Sequence, residues 1–496
     1  MVDGPTTVDP GGKVVIDAGG MIIVSGPITV DPGADLEITV GGPLCQDSGK
    51  LLINGHITLA GTLTLSSFNN FVSSSGDHYT ILVATGGISG MFSQVVDTLN
   101  TSGLTRADIY APNGLVIAYL PPGHGPLTLT SAVPIPLNSI CDVNAVLVSA
   151  LAPNAEQLSA PFDIWFQLAQ TQRLNLEARL DDVIAGSTGF VSNITPTPPP
   201  TGKQVMTGKE TKEVAPSPLQ PTPGNRWGVW VTGYGDFVNV DDEGSAQGYN
   251  YTTGGMTVGV DYRVTDHFLV GLMGGYAHTW TDLKPGNADV DTGWGGLYAG
   301  YFNKGLYVLG SIFGGGNSIS TSRATVAGAF ANSSTDSEEF STFISAGYDF
   351  HCGHLTIGPT AALQYSYVNL DGFTETGSIA ALNVNEDSEE SLRTDLGFRA
   401  WYIFQVGQIG VRPFVRAAWD HEYKESALPV TASLVDIPGT PVTVFGPSLG
   451  HDSAVVDAGV SVAWTPTIST YVSYDGQLGR GGYDSNGVSG GIRISF

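Results

Sequence analysis

Leu355-Thr356-Ile357-Gly358-Pro359-Thr360-Ala361-Ala362-Leu363-Gln364-Tyr365-Ser366-Tyr367 alternates along its whole length. Successive side chains of an extended chain point to opposite sides. One face therefore carries Leu355, Ile357, Pro359, Ala361, Leu363, Tyr365 and Tyr367, and the other Thr356, Gly358, Thr360, Ala362, Gln364 and Ser366. In 392–404, Leu392, Leu396, Phe398, Tyr402 and Phe404 oppose Arg393, Asp395, Gly397 and Arg399. In 488–496, Val488, Gly490, Ile492, Ile494 and Phe496 oppose Ser489, Gly491, Arg493 and Ser495. A soluble sandwich alternates too. Here the ionisable residues lie opposite a continuous aromatic and aliphatic face, the pattern of a strand with lipid on one side and a polar lumen on the other.

Working outward, residues 226–496 divide into twelve strand-like segments: roughly 226–237, 254–264, 268–281, 292–303, 305–317, 338–350, 355–370, 391–404, 409–423, 452–465, 467–477 and 487–496. The gaps at 265–267, 304, 351–354, 405–408 and 466 are short, and those at 238–253, 282–291, 318–337, 371–390, 424–451 and 478–486 are longer. Strict alternation of turns and loops is expected of a transmembrane β-barrel with its short turns periplasmic. Closure removes sheet edges and satisfies every backbone amide in lipid. Seven of the eight Trp fall here (Trp227, Trp230, Trp280, Trp294, Trp401, Trp419 and Trp464), many near strand ends, which predicts an interfacial girdle. Arg393, Asp395, Arg399, Arg412, Arg416, Asp420, Asp457 and Arg493 are expected to face the lumen, lining a conduit, holding a plug or pairing with one another. Facing lipid at mid-depth, an Arg would cost about 2–4 kcal/mol.

Composition excludes other classes. The 496 residues carry 20 Lys+Arg against 46 Asp+Glu, a net charge of −26, which speaks against a nucleic-acid partner. Three cysteines are too few for a disulfide-stapled scaffold, and 42% hydrophobic content is too high for ordinary disorder. No run of about 18 uninterrupted apolar residues marks a membrane helix. Met1-Val2-Asp3-Gly4-Pro5 has neither a basic n-region nor an apolar h-region, so the chain is expected to start internally.

Residues 1–130 read as short strands punctuated by Gly, Pro and Asp. Thr7-Val8-Asp9-Pro10-Gly11 returns as Thr29-Val30-Asp31-Pro32-Gly33. That repeat suggests coils of a β-solenoid, turned by Asp-Pro-Gly and stacked through Val and Ile. A sandwich of unrelated short strands fits two copies as well. Residues 131–190 connect, and within them 156–185 break the β pattern. Leu158, Phe162, Trp165, Phe166, Ala169, Leu176, Leu180, Val183 and Ile184 fall mostly at helical spacing, with Pro161 suited to a first turn and Gly186 to a C′ position. Residues 191–225 form a Pro-rich linker.

At this point the sequence resembles a bacterial autotransporter of the type Va secretion class. The barrel region resembles the β-domain from Arg226-Trp227-Gly228-Val229-Trp230 onward, through Gly254-Gly255-Met256-Thr257-Val258-Gly259-Val260-Asp261-Tyr262 to Gly490-Gly491-Ile492-Arg493-Ile494-Ser495-Phe496. Gln172-Arg173-Leu174-Asn175-Leu176-Glu177-Ala178-Arg179-Leu180-Asp181-Asp182 is similar to the family's pore helix. Residues 57–120 resemble the C-terminal end of a β-helical passenger. The resemblance implies an all-β fold: a 12-stranded antiparallel transmembrane barrel (226–496) preceded by an α-helix and a β-solenoid. It implies a translocator in the bacterial outer membrane that anchors and exports its own N-terminal passenger to the cell surface. The alternatives are a surface adhesin displayed by the barrel, or a simple outer-membrane pore. The helix residues Asn175, Glu177, Arg179 and Asp181 would face the pore wall. Phe496 would be the signal read by the outer-membrane barrel assembly machinery. Lipid and lipopolysaccharide would surround a monomeric barrel. Some relatives cleave themselves at an Asn-Asn pair in this helix. The corresponding pair here is Leu174-Asn175, so self-cleavage is not expected. In many relatives the helix joins the barrel directly, so the 33-residue Pro-rich stretch leaves open whether this helix lies inside the pore.

No catalytic constellation, cofactor or metal site is expected. His351-Cys352-Gly353-His354 lies at a short turn without a second ligand pair, and Asp47-Ser48-Gly49 has no His–Asp partners at a recognisable spacing. The six longer loops hold 16 acidic and 4 basic residues, a rim read first as solubility and repulsion of like-charged neighbours and second as a divalent-cation site near lipopolysaccharide. Cys45 and Cys141 are free to pair in an oxidising compartment.

Overall fold

The structure is a computed structural model. It describes residues 1–100, 102–184, 226–244, 246–407, 409–424, 427–437, 439–465 and 468–495. The linker expected at 191–225 and the Phe496 signal lie outside the described residues.

The C-terminal half forms twelve antiparallel strands: β1 (Trp227–Val240), β2 (Asn250–Thr265), β3 (Phe268–Asp282), β4 (Gly286–Asn303), β5 (Leu306–Ala324), β6 (Phe330–Tyr348), β7 (Leu355–Leu370), β8 (Asp387–Tyr402), β9 (Ile409–Glu422), β10 (Asp452–Ala463), β11 (Ile468–Arg480) and β12 (Tyr483–Ser495). Each pairs with its neighbour in sequence, and β12 returns to pair with β1 from Gly228 to Val240, closing the cylinder. Alternation fixes which side each residue takes. Ile357, Leu363, Leu396, Phe398, Val472 and Ile492 stand exposed on the outside, while Arg393, Asp395, Arg399 and Arg493 are buried within. An apolar exterior with its edges abolished is what lipid demands of a sheet.

Two expectations need correction. The sequence placed long loops at 282–291, 318–337 and 478–486. Instead β3–β4, β5–β6 and β11–β12 are joined tightly, through 283–285, 325–329 and 481–482. The intervening residues extend the hairpins. Beyond the membrane both faces of a strand tolerate polar residues, so Ser318-Ile319-Ser320-Thr321-Ser322 pairs with 332–336 while its hydrophobic alternation fades. The girdle is also thinner than expected. Trp227, Trp280, Trp419 and Trp464 are exposed on the outside, but Trp230, Trp294 and Trp401 are buried in the lumen. Trp230 shares a strand face with Thr232 and Asp236, and its ring fills a slot over Gly259. A Cβ at that position would lie 2.2 Å from the indole.

The N-terminal part is a parallel β-helix. Three stacks of strands run through it, and Thr7 pairs with Thr29 exactly where the sequence repeats. Gly11 and Gly33 both take positive φ (80° and 84°), and Gly11 N–H donates to Gly33 O at 2.9 Å, so the Asp-Pro-Gly turns stack coil upon coil. Inward aliphatics such as Val30, Leu36, Ile38, Ile57, Leu59 and Leu63 fill the interior. An antiparallel hairpin, Thr105–Ala111 with Gly114–Leu120, caps the last coil. Cys45 is disulfide-bonded to Cys141.

Two helices follow: α1 (Asn144–Leu151) and α2 (Ala160–Ile184). No Gly or Pro interrupts α2 beyond Pro161 in its first turn, and Ala, Leu, Gln, Arg and Glu favour it. Its 25 residues span about 37 Å. The two longest loops fold into a four-stranded sheet made of Phe373–Thr374, Leu382–Val384, Ala427–Leu434 and Val442–Ser448.

Candidate functional site: the occupied lumen

The helix α2 lies inside the barrel. It is buried on almost every face, including its polar residues. A helix so surrounded needs polar partners all round, because burying an unpaired charge is costly. The lumen supplies them with complementary sign.

The lower half of α2 is ionic. Glu177 pairs with Arg416, and Asp181 with Arg399 and, at 3.3 Å, Arg416. Asp182 pairs with Arg412 and Arg493. The cations of the helix meet the opposite sign: Arg173 pairs with Asp395 and reaches Gln364 at 3.1 Å, and Arg179 makes a forked pair with Asp261 at 2.8 Å. Arg393 donates to Gln170 at 2.7 Å and to Glu422 at 2.9 Å. Asp349 braces Arg399 from the wall at 2.8 Å, and the Arg399 guanidinium lies 3.4 Å from the centre of the Tyr307 ring. Asp261 also accepts from Tyr298, which in turn accepts from the Trp230 indole, both at 2.8 Å.

The upper half is aromatic and hydrogen-bonded rather than ion-paired. Trp165 packs edge-on against Phe313, and Trp294 packs against the same ring. Tyr251 donates to Asp163 at 2.9 Å, Tyr483 to Gln167 at 3.0 Å, Thr171 to Asp236 at 3.1 Å and Thr257 to Gln172 at 2.7 Å.

The eight residues expected to face the lumen are all buried. Six of them touch the helix. Asp420 instead accepts from Ser453 and Gln477 within the wall, both at 3.2 Å, and Asp457 lies in register with Arg416 and Asp475. Of the helix residues singled out, Glu177, Arg179 and Asp181 carry ion pairs. Asn175 is buried, and its side-chain NH2 has no hydrogen-bond partner among the described residues. Sequence reasoning did not single out Asp261, Asp349 or Glu422, and it placed Gln364 on the polar face of its strand without naming it a partner of the helix. Strand parity gives the direction: Asp261 shares a face with Thr257 and Arg263, and Gln364 with Thr356 and Ser366.

The direction of the helix follows from these contacts. Asp163 meets Tyr251 near the loop end of β2, and Arg179 meets Asp261 near its turn end. Everything before Ala160 therefore lies on the side of the long loops, while β1 begins at the side of the short turns. The arrangement is a plugged pore with a folded β-helix on the loop side.

The family described as Autotransporter beta-domain matches residues 229–475. Among curated proteins, the chain is 29% identical over 284 residues to an extracellular serine protease of Serratia marcescens, covering 54% of this chain and 26% of that protein. It is 25% identical over 340 residues to outer membrane protein A of Rickettsia rickettsii, covering 65% and 14%. The chain thus spans about a quarter or less of these relatives' length. Similar solved structures include the translocator domain of NalP from Neisseria meningitidis, with TM-score 0.46, 15% identity, and 54% of this chain and 88% of that one covered. The β-domain of the Bordetella autotransporter BrkA gives TM-score 0.43 at 17% identity, with 55% and 100% covered. The chain belongs to the type Va autotransporters: its barrel is an outer-membrane translocator, and its N-terminal passenger is displayed outside the cell.

Proposed function

We propose that residues 1–130 are the membrane-proximal end of a β-helical passenger held at the cell surface, and that residues 131–190 are the segment left in the exit path after export. Residues 191–225 then serve as a linker to the translocator at 226–496. The observation that carries this reading is the direction of α2. Its first turn lies at the loop end of the lumen and its last turn at the turn end, so the β-helix emerges on the side opposite the start of β1. The ion pairs give the helix a single seat. Buried pairs are poor sources of net stability but strong sources of registry. Sliding α2 by one turn, about 5.4 Å, would carry Glu177 and Asp181 away from Arg416 and Arg399.

In this reading the passenger acts by binding rather than catalysis. One face of the β-helix presents Thr7, Thr29, Thr58 and Ser89 in register, with His56 bonded to Ser89 at 2.9 Å. Such a flat hydroxyl ladder suits an adhesin-like contact. The barrel acts as a monomer in lipid and lipopolysaccharide, inserted by the assembly machinery that reads its terminal strand. Proteolysis of intact cells tests display: cleavage within residues 1–120 is expected, and full protection alongside a correctly inserted barrel contradicts it. A simple pore would instead show large, steady conductance in planar bilayers, unchanged by deleting 156–185. The display reading expects a closed full-length channel that opens on that deletion.

A further inference from the structure

The β-helix does not hang from the barrel on a free tether. Helix α1 stands between them and is buried on both sides. Val146, Leu147, Val148, Ala150 and Leu151 are all removed from solvent. On one side α1 packs against the capping hairpin at Thr105–Ala111 and the strand Leu127–Thr130. On the other it packs against the loop strands Ala427–Leu434 and Val442–Ser448. Ala107, Ile109 and Val116 of the β-helix cap, Leu147 and Leu151 of α1, and Val430 of the loop sheet belong to one continuous apolar cluster. The loop sheet buries Leu428, Val430, Ala432 and Leu434 at alternate positions, a face that would meet water if α1 and its neighbours were removed. Polar contacts fix the seat. Asn144 donates to Thr440 O at 3.2 Å on the barrel side, and Thr80 donates to Ile140 O at 2.5 Å on the β-helix side.

The covalent path between these two bodies passes over an exposed turn. Leu137, Asn138 and Ser139 are open to solvent, and Leu137 is 58% exposed. A surface protease would find this turn, and a cut there leaves the apolar contacts of α1 in place, with one backbone hydrogen bond, Ser139 N–H to Pro136 O at 3.2 Å, spanning it. We propose that α1 is a keystone binding the β-helix to the loop sheet, so that scission of the backbone at 137–139 leaves the β-helix seated on the barrel. The two long loops are then a socket whose occupant is this chain's own α1 together with the cap it carries. Cutting the turn would make a two-piece surface protein, not a released one. The inference rests on the reading that residues 1–130 are displayed.

The test uses the full chain in cells, with a recognition site for a specific protease inserted between Leu137 and Asn138. Cys45→Ser and Cys141→Ser remove the disulfide that spans the same turn, so that only packing is measured. Intact cells are digested, washed and fractionated. The expected result is that the fragment 1–137 sediments with the outer membrane. Adding Leu147→Asp sends most of it to the medium, and Leu127→Asp, on the β-helix side of the same seam, does the same. Heat-modifiable migration of the C-terminal piece shows that the barrel is folded in each variant. Release without either substitution overturns the proposal, as does retention that survives both. If the site is cut only after lysis, display has failed, not the keystone. The same digestion of the detergent-purified chain, followed by size-exclusion chromatography, then tests the seat alone.

Discussion

Arg106 sits between two carboxylates at the cap of the β-helix, 2.8 Å from Asp108 and 3.7 Å from Asp97, with all three side chains buried. Tyr119 donates to Asp97 at 3.1 Å. Burial pushes the Asp108 carboxyl above its ordinary range, and the Arg106 guanidinium pulls it part of the way back. Removing the cation leaves both carboxylates uncompensated. Arg106→Met is expected to destabilise the cap by about 3–5 kcal/mol at neutral pH. A carboxyl whose folded pKa is raised binds its proton more tightly when folded. Its contribution to stability therefore grows as pH falls through the folded value toward the ordinary one of about 3.9. The variant's deficit should shrink on acidification, because Asp108 without Arg106 is raised further. Hydrogen exchange of the hairpin amides at neutral and mildly acidic pH checks this, and a deficit that stays constant across that range contradicts it.

A strand of the barrel is defined by what its two faces tolerate. On β7, Leu363 looks outward and Gln364 looks inward to Arg173. Leu363→Arg places a cation in lipid and should cost about 2–4 kcal/mol in a folding titration into bilayers. An effect near zero would mean that this face is not in the hydrocarbon. The alternation that underlies this prediction was legible from residues 355–367 alone, and so were all twelve strands. The hairpin extensions of β5 and β6 were not, since Ser320, Ser322, Asn332 and Ser334 have no apolar face, and Ser and Asn read as loop. The residues of α2 were legible as a helix, but its placement was not. A helix that mixes Gln, Arg, Glu and Asp with an apolar face reads equally as a surface one, and only complementary charges on distant strands reveal a lumen that fits it. The eight charged residues were assigned to the lumen face because charge on an alternating strand is conspicuous. Asp261 was passed over although parity and its neighbour Arg263 give its direction, and Gln364 was placed on the polar face without being recognised as a partner of the helix.

At the scale of the molecule, a continuous chain of packing runs from the coils of the β-helix, through its cap and α1, into the loop sheet and down the barrel around α2. The exterior divides the same way: the coils and loops are polar, and the barrel carries the apolar band. The lumen is filled by the chain's own helix, seated by ion pairs with the barrel wall. The most direct measurement of that claim is a cross-link inside the lumen. Gln172 on α2 and Thr257 on β2 are hydrogen-bonded at 2.7 Å. In outer membranes of cells carrying Gln172→Cys and Thr257→Cys, with Cys352→Ser to remove the exposed free thiol, mild oxidation is expected to join helix and barrel within one chain. Non-reducing electrophoresis would then show faster migration. The neighbouring pair Gln172→Cys with Val258→Cys, whose second position faces lipid, should stay open. A folded, heat-modifiable barrel in which the first pair does not close would contradict a lumen occupied by its own helix.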